Sequence, residues 1–303
     1  MSFGENGCSF CRKALAMLLF QFLQIAMIRS SLAVSLRSLE KYGVSLYDSQ
    51  LASRLCCEIK QGSILSEETG LILQENVSDG AVELAWGGKS TVKEVPFRID
   101  FASIAAQQRG KMSRSELVSK AAGSKTSHVI DLTAGLGRDS FILASAGYRV
   151  CMLERNPVLY YLLSDAINRL YAVNPRLAER MKLMEADSRS VLESKDLGID
   201  FKESDIIAVY LDPMYEGNAV GRRSNVKKET TMLHRLVSDD YEGIEDNSKT
   251  LFETAQRLSN SRIIVKRACK ATSLANSVPH EMLTGSTQRF DIYFKSRKIL
   301  MKA

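Results

Sequence analysis

The fold is decided by the stretch VIDLTAGLGRDSFILASAGYRVCMLERNP, which runs from Val129 to Pro157. An apolar strand ends at Asp131, a turn containing Gly135 and Gly137 follows, and a second apolar strand ends at Glu154. Glycines in such a turn let the backbone pass close to a ligand, and the helix after the turn begins with N–H groups that lack intrahelical partners. A carboxylate after the second strand can accept hydrogen bonds from both hydroxyls of a ribose. The stretch therefore predicts a nucleoside site at the carboxyl ends of two strands.

Strands and helices alternate through the rest of this region. The helix RDSFILASA ends before Gly147, and Asn156 with Pro157 provides the N-cap and the first residue of the helix PVLYYLLSDAINRLY. Four further apolar runs are typical of strands: KLMEA, DIIAVYLD, RIIVKRA and RFDIYFK. This alternation predicts an α/β fold with a mostly parallel sheet and helices on both of its faces.

The sequence pattern divides the chain into three segments, residues 1–43, 44–106 and 107–303. In the first, Ala14–Ile28 is apolar, but it is shorter than the roughly 20 residues that a membrane span needs. We interpret it as a surface-packed helix, or as an extension upstream of the gene's true start, rather than as a secretory signal. The second segment combines a helix over Leu51–Ile59 with three strands, which predicts a small α+β subdomain. The third segment is the large α/β domain.

The composition indicates a soluble protein with an anionic partner. The chain has 41 Lys and Arg against 35 Asp and Glu, which gives a net charge of +6. Its six cysteines show no disulfide spacing, and the Cys8–Cys11 pair has neither a second pair nor a nearby histidine to complete a zinc site. We therefore expect a reduced, cytoplasmic protein that binds no metal and has no stable association with a membrane.

A basic segment, Gln107–Lys125, precedes the first strand of the large domain. It carries five basic residues and one acidic residue. Ser113 and Glu116 have the spacing of a capping box, which predicts a helix that begins at Ser113. The segment is either a solvated helix that joins two domains or a contact for phosphate groups, and the sequence leaves both interpretations open.

Acidic residues follow three successive strands of the large domain, at Asp131, Glu154 and Asp187. This arrangement resembles that of class I S-adenosylmethionine-dependent methyltransferases, which have a Rossmann-like fold with a mostly parallel seven-stranded sheet. There the first acidic residue and the glycine loop lie by the methionine portion of the cofactor, the second binds the ribose, and the third neighbours the adenine amino group. A nicotinamide cofactor is disfavoured, because Ser140 stands where the dinucleotide fingerprint has its third glycine.

The fourth strand of this domain ends in LDPMY, from Leu211 to Tyr215. The motif resembles the [N/D]PP[Y/F] sequence of methyltransferases that modify nitrogens conjugated with a planar system. Such a nitrogen has a delocalised lone pair, so an Asp212 carboxylate that accepts its N–H bond helps to orient and localise that pair. Tyr215 can stack on a base. Met214 replaces the usual second proline, and a DP turn above a packing tyrosine is the structural alternative.

Five motifs in this order, DLTAGLGRD, MLERNP, YLDPMY, VKR and RFDIY, resemble the RsmJ family of bacterial enzymes, which methylate the guanine N2 of small-subunit (16S) ribosomal RNA. The resemblance covers residues 44–294 and implies S-adenosylmethionine as cofactor and 16S rRNA or the small ribosomal subunit as partner. The family more often has a small polar residue at the position of Asp187. By matching positions, the cofactor contacts implied beside Asp131, Gly135 and Gly137 are Arg138, Asp139, Glu154, Arg155, Asp187, Ser188 and Asp212.

A second basic segment, GRRSNVKKE, begins at Gly221, shortly after LDPMY. Its positive side chains are suited to hold RNA phosphates, although a solvated loop is the alternative. A protein glutamine-amide methyltransferase shares the nitrogen motif but needs no basic loop, and a non-catalytic RNA-binding relative is disfavoured because every cofactor position is filled. The RNA-binding residues predicted in this segment are Arg222, Arg223, Lys227 and Lys228.

Overall fold

The computed structural model describes residues 32–34, 58–60, 63–65, 71–76, 78–86, 96–191, 194–199, 202, 205–213 and 244–295. The chain divides into two compact units, Met1–Phe97 and Arg98–Ala303. The second unit contains the glycine loop and LDPMY. The three-segment division, with the large domain beginning at residue 107, stays a prediction.

The described part of the first unit consists of five strands. Strand β1 pairs in parallel with β4, β4 pairs with β5 in an antiparallel hairpin, and β2 pairs with β3 in a second hairpin. The helix predicted over Leu51–Ile59 is wrong at its end, because Glu58 and Ile59 form cross-strand pairs in β2; its earlier residues lie outside the described ranges. The bounds are β1 Leu32–Val34, β2 Glu58–Lys60, β3 Ser63–Leu65, β4 Leu71–Glu75 and β5 Val82–Trp86.

The second unit contains a seven-stranded sheet in the order β11-β12-β10-β9-β6-β7-β8. Strands β8, β7, β6, β9 and β10 are mutually parallel, and β12 runs antiparallel to both of its neighbours. The predicted α/β class with a mostly parallel sheet is confirmed. The bounds are β6 His128–Asp131, β7 Arg149–Glu154, β8 Met181–Glu185, β9 Ile207–Leu211, β10 Arg262–Ala268, β11 Glu281–Thr284 and β12 Gln288–Phe294.

Two helices that position the site, α3 (Arg138–Ala146) and α4 (Pro157–Val173), each have a cap where the sequence predicts it, although α4 continues two residues past the predicted end at Tyr171. Helix α3 ends before Gly147, whose φ of 113° belongs to the left-handed region that glycine adopts without strain. Helix α4 begins after Asn156, whose side chain accepts a hydrogen bond from the Val158 N–H at 3.0 Å. The helices among the described residues of this unit are α1 Ile104–Lys111, α2 Leu117–Ala122, α3 Arg138–Ala146, α4 Pro157–Val173, α5 Pro175–Ala178 and α6 Ile244–Leu258.

The capping box predicted at Ser113 is wrong. Ser113–Ser115 forms a turn of 3₁₀ helix, and α2 begins only after Glu116, which occupies the N-cap position without a side-chain cap. The Glu116 carboxylate instead accepts a hydrogen bond from Arg109 Nε at 3.1 Å. An ion pair with the preceding helix has therefore replaced the reciprocal capping bond.

The order of the strands places a crevice at the middle of the sheet. From β6 the chain adds β7 and β8 toward one edge, then returns to place β9 and β10 on the other side of β6. At such a reversal the connections after neighbouring strands leave in opposite directions and open a ligand crevice at the carboxyl ends. A buried cluster that includes Ile130, Val209 and Phe252 packs beneath it. Among the described helices, none has both the length and the apolar character needed to cross a membrane.

Candidate active site

The glycine loop at the carboxyl end of β6 is supported from below by Asp131. Its carboxylate accepts hydrogen bonds from the Thr133 N–H at 3.0 Å and from the Ser140 hydroxyl at 2.5 Å. Only 1% of Asp131 is exposed, and this burial raises its pKa to about 7, against the opposing effect of the two hydrogen bonds. Asp131 thus joins the start of the loop to helix α3.

Glu154 joins the same loop to the end of β7. One carboxylate oxygen accepts the Gly135 N–H at 2.8 Å, and the other accepts the Asn156 N–H at 2.8 Å. Glu154 is 7% exposed, and burial raises its pKa to about 7 although both hydrogen bonds favour the ionised form. Because an ionised carboxylate offers about four acceptor positions, two remain for the hydroxyls of a bound ribose.

The two glycines of the loop serve different purposes. Gly135 has a φ of 53° and ample space around it, so its conformation alone favours glycine. Gly137 has a φ of 64°, and a Cβ atom there would lie 2.6 Å from Leu163 Cδ2 and 3.1 Å from Phe101 Cζ. Gly135 therefore shapes the loop toward Glu154, whereas Gly137 lets the start of α3 pack against α4.

The segment after β8 places Asp187 between two arginines. Arg189 Nε donates to the Asp187 carboxylate at 2.9 Å, and Arg155 Nη1 lies 3.9 Å from it. Burial acts to raise the pKa of Asp187, but the hydrogen bonds and charge of Arg189, with the charge of Arg155, lower it below its ordinary value. The Ser188 hydroxyl donates to the carbonyl of Leu132, so this segment is held against the end of β6.

The DP segment after β9 lies beside a lysine from the neighbouring strand. Val265 of β10 pairs with Leu211 of β9, which places Lys266 next to Asp212. Lys266 Nζ donates to Asp212 Oδ2 at 2.8 Å and to Asp139 Oδ2 at 2.7 Å. The Tyr210 hydroxyl donates to the same Asp139 oxygen at 2.6 Å. We call Asp139, Tyr210, Asp212 and Lys266 the Lys266 network.

The charges of the Lys266 network follow from its burial. Burial raises the pKa of Asp212, and the charge and hydrogen bond of Lys266 oppose that rise. Burial also raises the pKa of Tyr210 well above its ordinary value, so its hydroxyl stays protonated and acts as a donor. The backbone of Asp212 is fixed as well, because its N–H donates to the Thr133 hydroxyl at 2.6 Å.

The predicted site residues thus converge in part. The described ones lie around the crevice, at the carboxyl ends of β6, β7, β8 and β9 or in the first turn of α3, where Asp139 is partly buried and Arg138 is exposed. Tyr215 and the basic residues Arg222, Arg223, Lys227 and Lys228 lie outside the described ranges. No group of three or more metal-ligating side chains is present in the part of the chain that the structure describes.

Sequence reasoning missed Lys266, Tyr210 and the structural role of Ser140. Ser140 was noted only because it stands where the dinucleotide fingerprint has its third glycine. Its hydroxyl also donates a hydrogen bond from α3 to the Asp131 carboxylate. Lys266 interrupts an apolar strand, RIIVKRA, and a charged residue within a buried strand is a signal that a nearby opposite charge compensates it.

The crevice fits an adenosine-type cofactor with a cationic centre. The Glu154 carboxylate retains acceptor positions for a ribose, and Gly135 presents no side chain to it. The carboxylates of Asp139 and Asp212 lie close enough to Asp131 to raise its pKa, and the negative charge of this group at the floor of the crevice favours a positive sulfonium. S-adenosylmethionine has each of these features.

Comparisons with known proteins agree with this fit. Residues 60–295 match the model of the family described as "Putative SAM-dependent methyltransferase". The ribosomal RNA small subunit methyltransferase J of Serratia proteamaculans is 42% identical over 203 residues, which are 64% of this chain and 76% of that protein. The protein of that name from Mannheimia succiniciproducens is 35% identical over 254 residues, which cover 81% of this chain and 94% of that one.

A solved structure has the same fold. The crystal structure of a SAM-dependent methyltransferase from Neisseria gonorrhoeae is 32% identical, and the alignment covers 71% of this chain and 79% of that chain with a TM-score of 0.52. The chain therefore belongs to the S-adenosylmethionine-dependent methyltransferase family that includes ribosomal RNA small subunit methyltransferase J, and it has the class I fold and the cofactor of that family.

Proposed function

We propose that this enzyme methylates the exocyclic N2 of a guanosine in 16S ribosomal RNA, in the cytoplasm. The observation that carries the proposal is a carboxylate, Asp212, fixed at the crevice by Thr133 and Lys266, where a conjugated amine needs an acceptor. The names of the relatives, ribosomal RNA small subunit methyltransferase J, support this substrate.

The residues of the crevice act on the nitrogen rather than on the methyl group. When bound, S-adenosylmethionine would supply an electrophilic methyl group. As the nitrogen lone pair forms the new N–C bond, the bond from the methyl carbon to sulfur would break, and its electron pair would return to sulfur. The Asp212 carboxylate accepts an N–H hydrogen bond from the amine and so turns the lone pair toward the methyl carbon. The methylated nitrogen then carries a positive charge, which the same carboxylate stabilises until a proton leaves.

The base and its strand need further contacts, which we assign to predicted residues outside the described ranges. Tyr215, three residues after Asp212, is suited to stack on the guanine and hold it in plane with the acceptor. The four basic residues of GRRSNVKKE are suited to hold the adjoining phosphates without reading the base sequence. Stacking would thus set the depth of the base in the crevice, and charge would set the affinity for the strand.

Mass spectrometry of ribosomal RNA from cells with and without the gene tests the substrate. We expect one N2-methylguanosine of 16S rRNA to be lost with the gene, and purified enzyme with S-adenosylmethionine to restore it. Asp212→Ala should lower turnover by about 100-fold or more while the fold is largely kept. Asp205→Ala is the matched control, since Asp205 precedes the opposite end of β9. Unchanged rRNA in the deletion strain would refute the proposal.

A salt titration tests the substrate class on purified protein. Neutralising Arg222, Arg223, Lys227 and Lys228 together should make the slope of log RNA affinity against log salt shallower, because fewer phosphate counterions are released. Affinity for S-adenosylmethionine should not change. An unaltered slope would assign this loop to solvent and favour a glutamine-amide substrate instead.

A further inference from the structure

Lys266 occupies an unusual position for a lysine, within a buried strand and between two carboxylates. Its Nζ lies 2.7 Å from Asp139 Oδ2 and 2.8 Å from Asp212 Oδ2. Burial acts to lower the pKa of Lys266, but the charges of Asp212 and Asp139 outweigh burial and raise it above its ordinary value. The ammonium group is therefore charged across the physiological range, and it joins helix α3 to the segment after β9.

We propose that Lys266 is a positioning residue, which keeps the Asp212 carboxylate ionised and turned so that Oδ1 faces the target amine. This inference rests on the proposed function, because it assigns Lys266 a task in orienting the amine acceptor. The inference adds to that function a residue on a different strand, β10. Lys266 acts through Asp212 and does not itself contact the substrate.

The geometry supports an orienting effect. Asp212 has its N–H bound to the Thr133 hydroxyl at 2.6 Å, and Lys266 contacts its carboxylate through Oδ2. Both ends of the residue are thus fixed, so the second carboxylate oxygen can take few positions. The side chain of Asp212 is still 37% exposed, so it remains open to the crevice. A preoriented acceptor loses little conformational entropy when the base enters.

The charges around Asp212 explain why an ammonium group is required there. Partial burial beside the crevice disfavours its ionised form, and the negative charge of Asp139 on α3 adds to that effect. Asp131 on β6 interacts unfavourably with both of these carboxylates, and Arg267 on β10 interacts favourably with Asp212. Among the described residues, Lys266 is the cation that contacts Asp212 directly. A protonated Asp212 would lose its strength as an acceptor for the amine.

The pH dependence of turnover distinguishes this task from a purely structural one. We would compare Lys266→Met and Lys266→Arg with the wild-type enzyme at saturating S-adenosylmethionine and 16S rRNA. Lys266→Met should lower kcat by about 100-fold near neutral pH, and the acid limb of the profile should move to higher pH because the ionised carboxylate has lost its cation. Lys266→Arg keeps the charge and should recover part of kcat. Lys182→Met is the control, since Lys182 Nζ binds the carbonyls of Leu197 and Gly198 instead of carboxylates.

For a second variant we expect a shift of the acid limb in the opposite direction. This variant also provides a test if Lys266→Met fails to fold. Asp139→Asn removes the negative neighbour, so the acid limb should move to lower pH. Carbon-13 NMR titration of the Asp212 carboxyl in protein without RNA should give the same two directions, and this measurement holds even if 16S rRNA is not the substrate. Absence of rRNA methylation by wild-type enzyme would therefore refute the proposed function alone. An Asp212 titration that is unchanged in both variants, or shifts in one direction in both, would refute the role of Lys266.

Discussion

Glu154→Gln separates the two tasks of this carboxylate, which supports the glycine loop and is expected to bind the ribose. Glutamine keeps one acceptor oxygen, so one of the two N–H groups, of Gly135 or Asn156, loses its partner, and the free energy of unfolding should fall by about 1 to 3 kcal/mol. Hydrogen bonds to a charged group are worth about 1 to 1.5 kcal/mol more than neutral ones. With two ribose hydroxyls, Glu154→Gln should therefore cost about 2 to 3 kcal/mol of the free energy of cofactor binding, which weakens binding roughly 30- to 140-fold.

The pH dependence makes this prediction sharper. The pKa of Glu154 is raised to about 7 because the group is buried, so the ionised acceptor is present above pH 7 and is lost as the pH falls below it. Calorimetric titration with S-adenosylmethionine should therefore show the largest difference between wild type and Glu154→Gln near pH 8. The difference should narrow toward pH 6, because protonated glutamate and glutamine are then similar acceptors.

Asp165→Asn is the matched control for this experiment. Asp165 is also a buried carboxylate, 1% exposed, but it lies on α4 and accepts a hydrogen bond from Arg169 Nε at 2.8 Å. This variant should lose stability without any change in cofactor affinity. Equal affinities of wild type and a folded Glu154→Gln at pH 8 would show that the ribose lies elsewhere.

Two further predictions concern stability. Gly137→Ala should lower the free energy of unfolding by about 2 to 4 kcal/mol, because alanine is strained in the left-handed region and its Cβ would clash with Leu163. Gly135→Ala should lower it by only about 1 to 2 kcal/mol, because only the strain applies there. Equal losses in denaturant titrations would contradict the packing argument. Because burial raises the pKa of Asp131 to about 7, the folded state holds a proton that the unfolded state releases near pH 4. The free energy of unfolding should therefore fall as the pH rises from about 4 to 7, by up to about 1.4 kcal/mol per pH unit for this group. Asp131→Asn should flatten this dependence of stability on pH.

The central strands, and the placement of Asp131 and Glu154 at their carboxyl ends, could be predicted from local sequence. Asp131 and Glu154 each follow an unbroken apolar run, and a run of that kind in an α/β chain ends at the ligand edge of the sheet. Gly147 and Asn156 are end signals that act within a few residues, so tertiary contacts had little chance to override them. The prediction succeeded where the deciding interactions are local.

The failures arise from contacts between distant segments. Lys266 meets Asp139 across 127 residues of sequence, and the two come together only because β6 pairs with β9 and β9 pairs with β10. Strand β11 was missed, because Glu281–Thr284 is an edge strand with mostly exposed side chains and no apolar run to mark it. The capping box at Ser113 failed for a different, local reason, because the Glu116 carboxylate accepts a hydrogen bond from Arg109 in the preceding helix.

The bond between the Asp212 N–H and the Thr133 hydroxyl joins residues that are 79 positions apart. During synthesis β6, β7 and β8 leave the ribosome first and can pair, but the floor of the crevice is absent until β9 has returned to the centre of the sheet. Lys266 arrives later still, with β10. Such long-range closure is slow compared with local pairing. A nascent chain therefore acquires its methyl-transfer site only after β9 and β10 have joined the sheet, and occupancy by the cofactor would mark chains that have reached that stage.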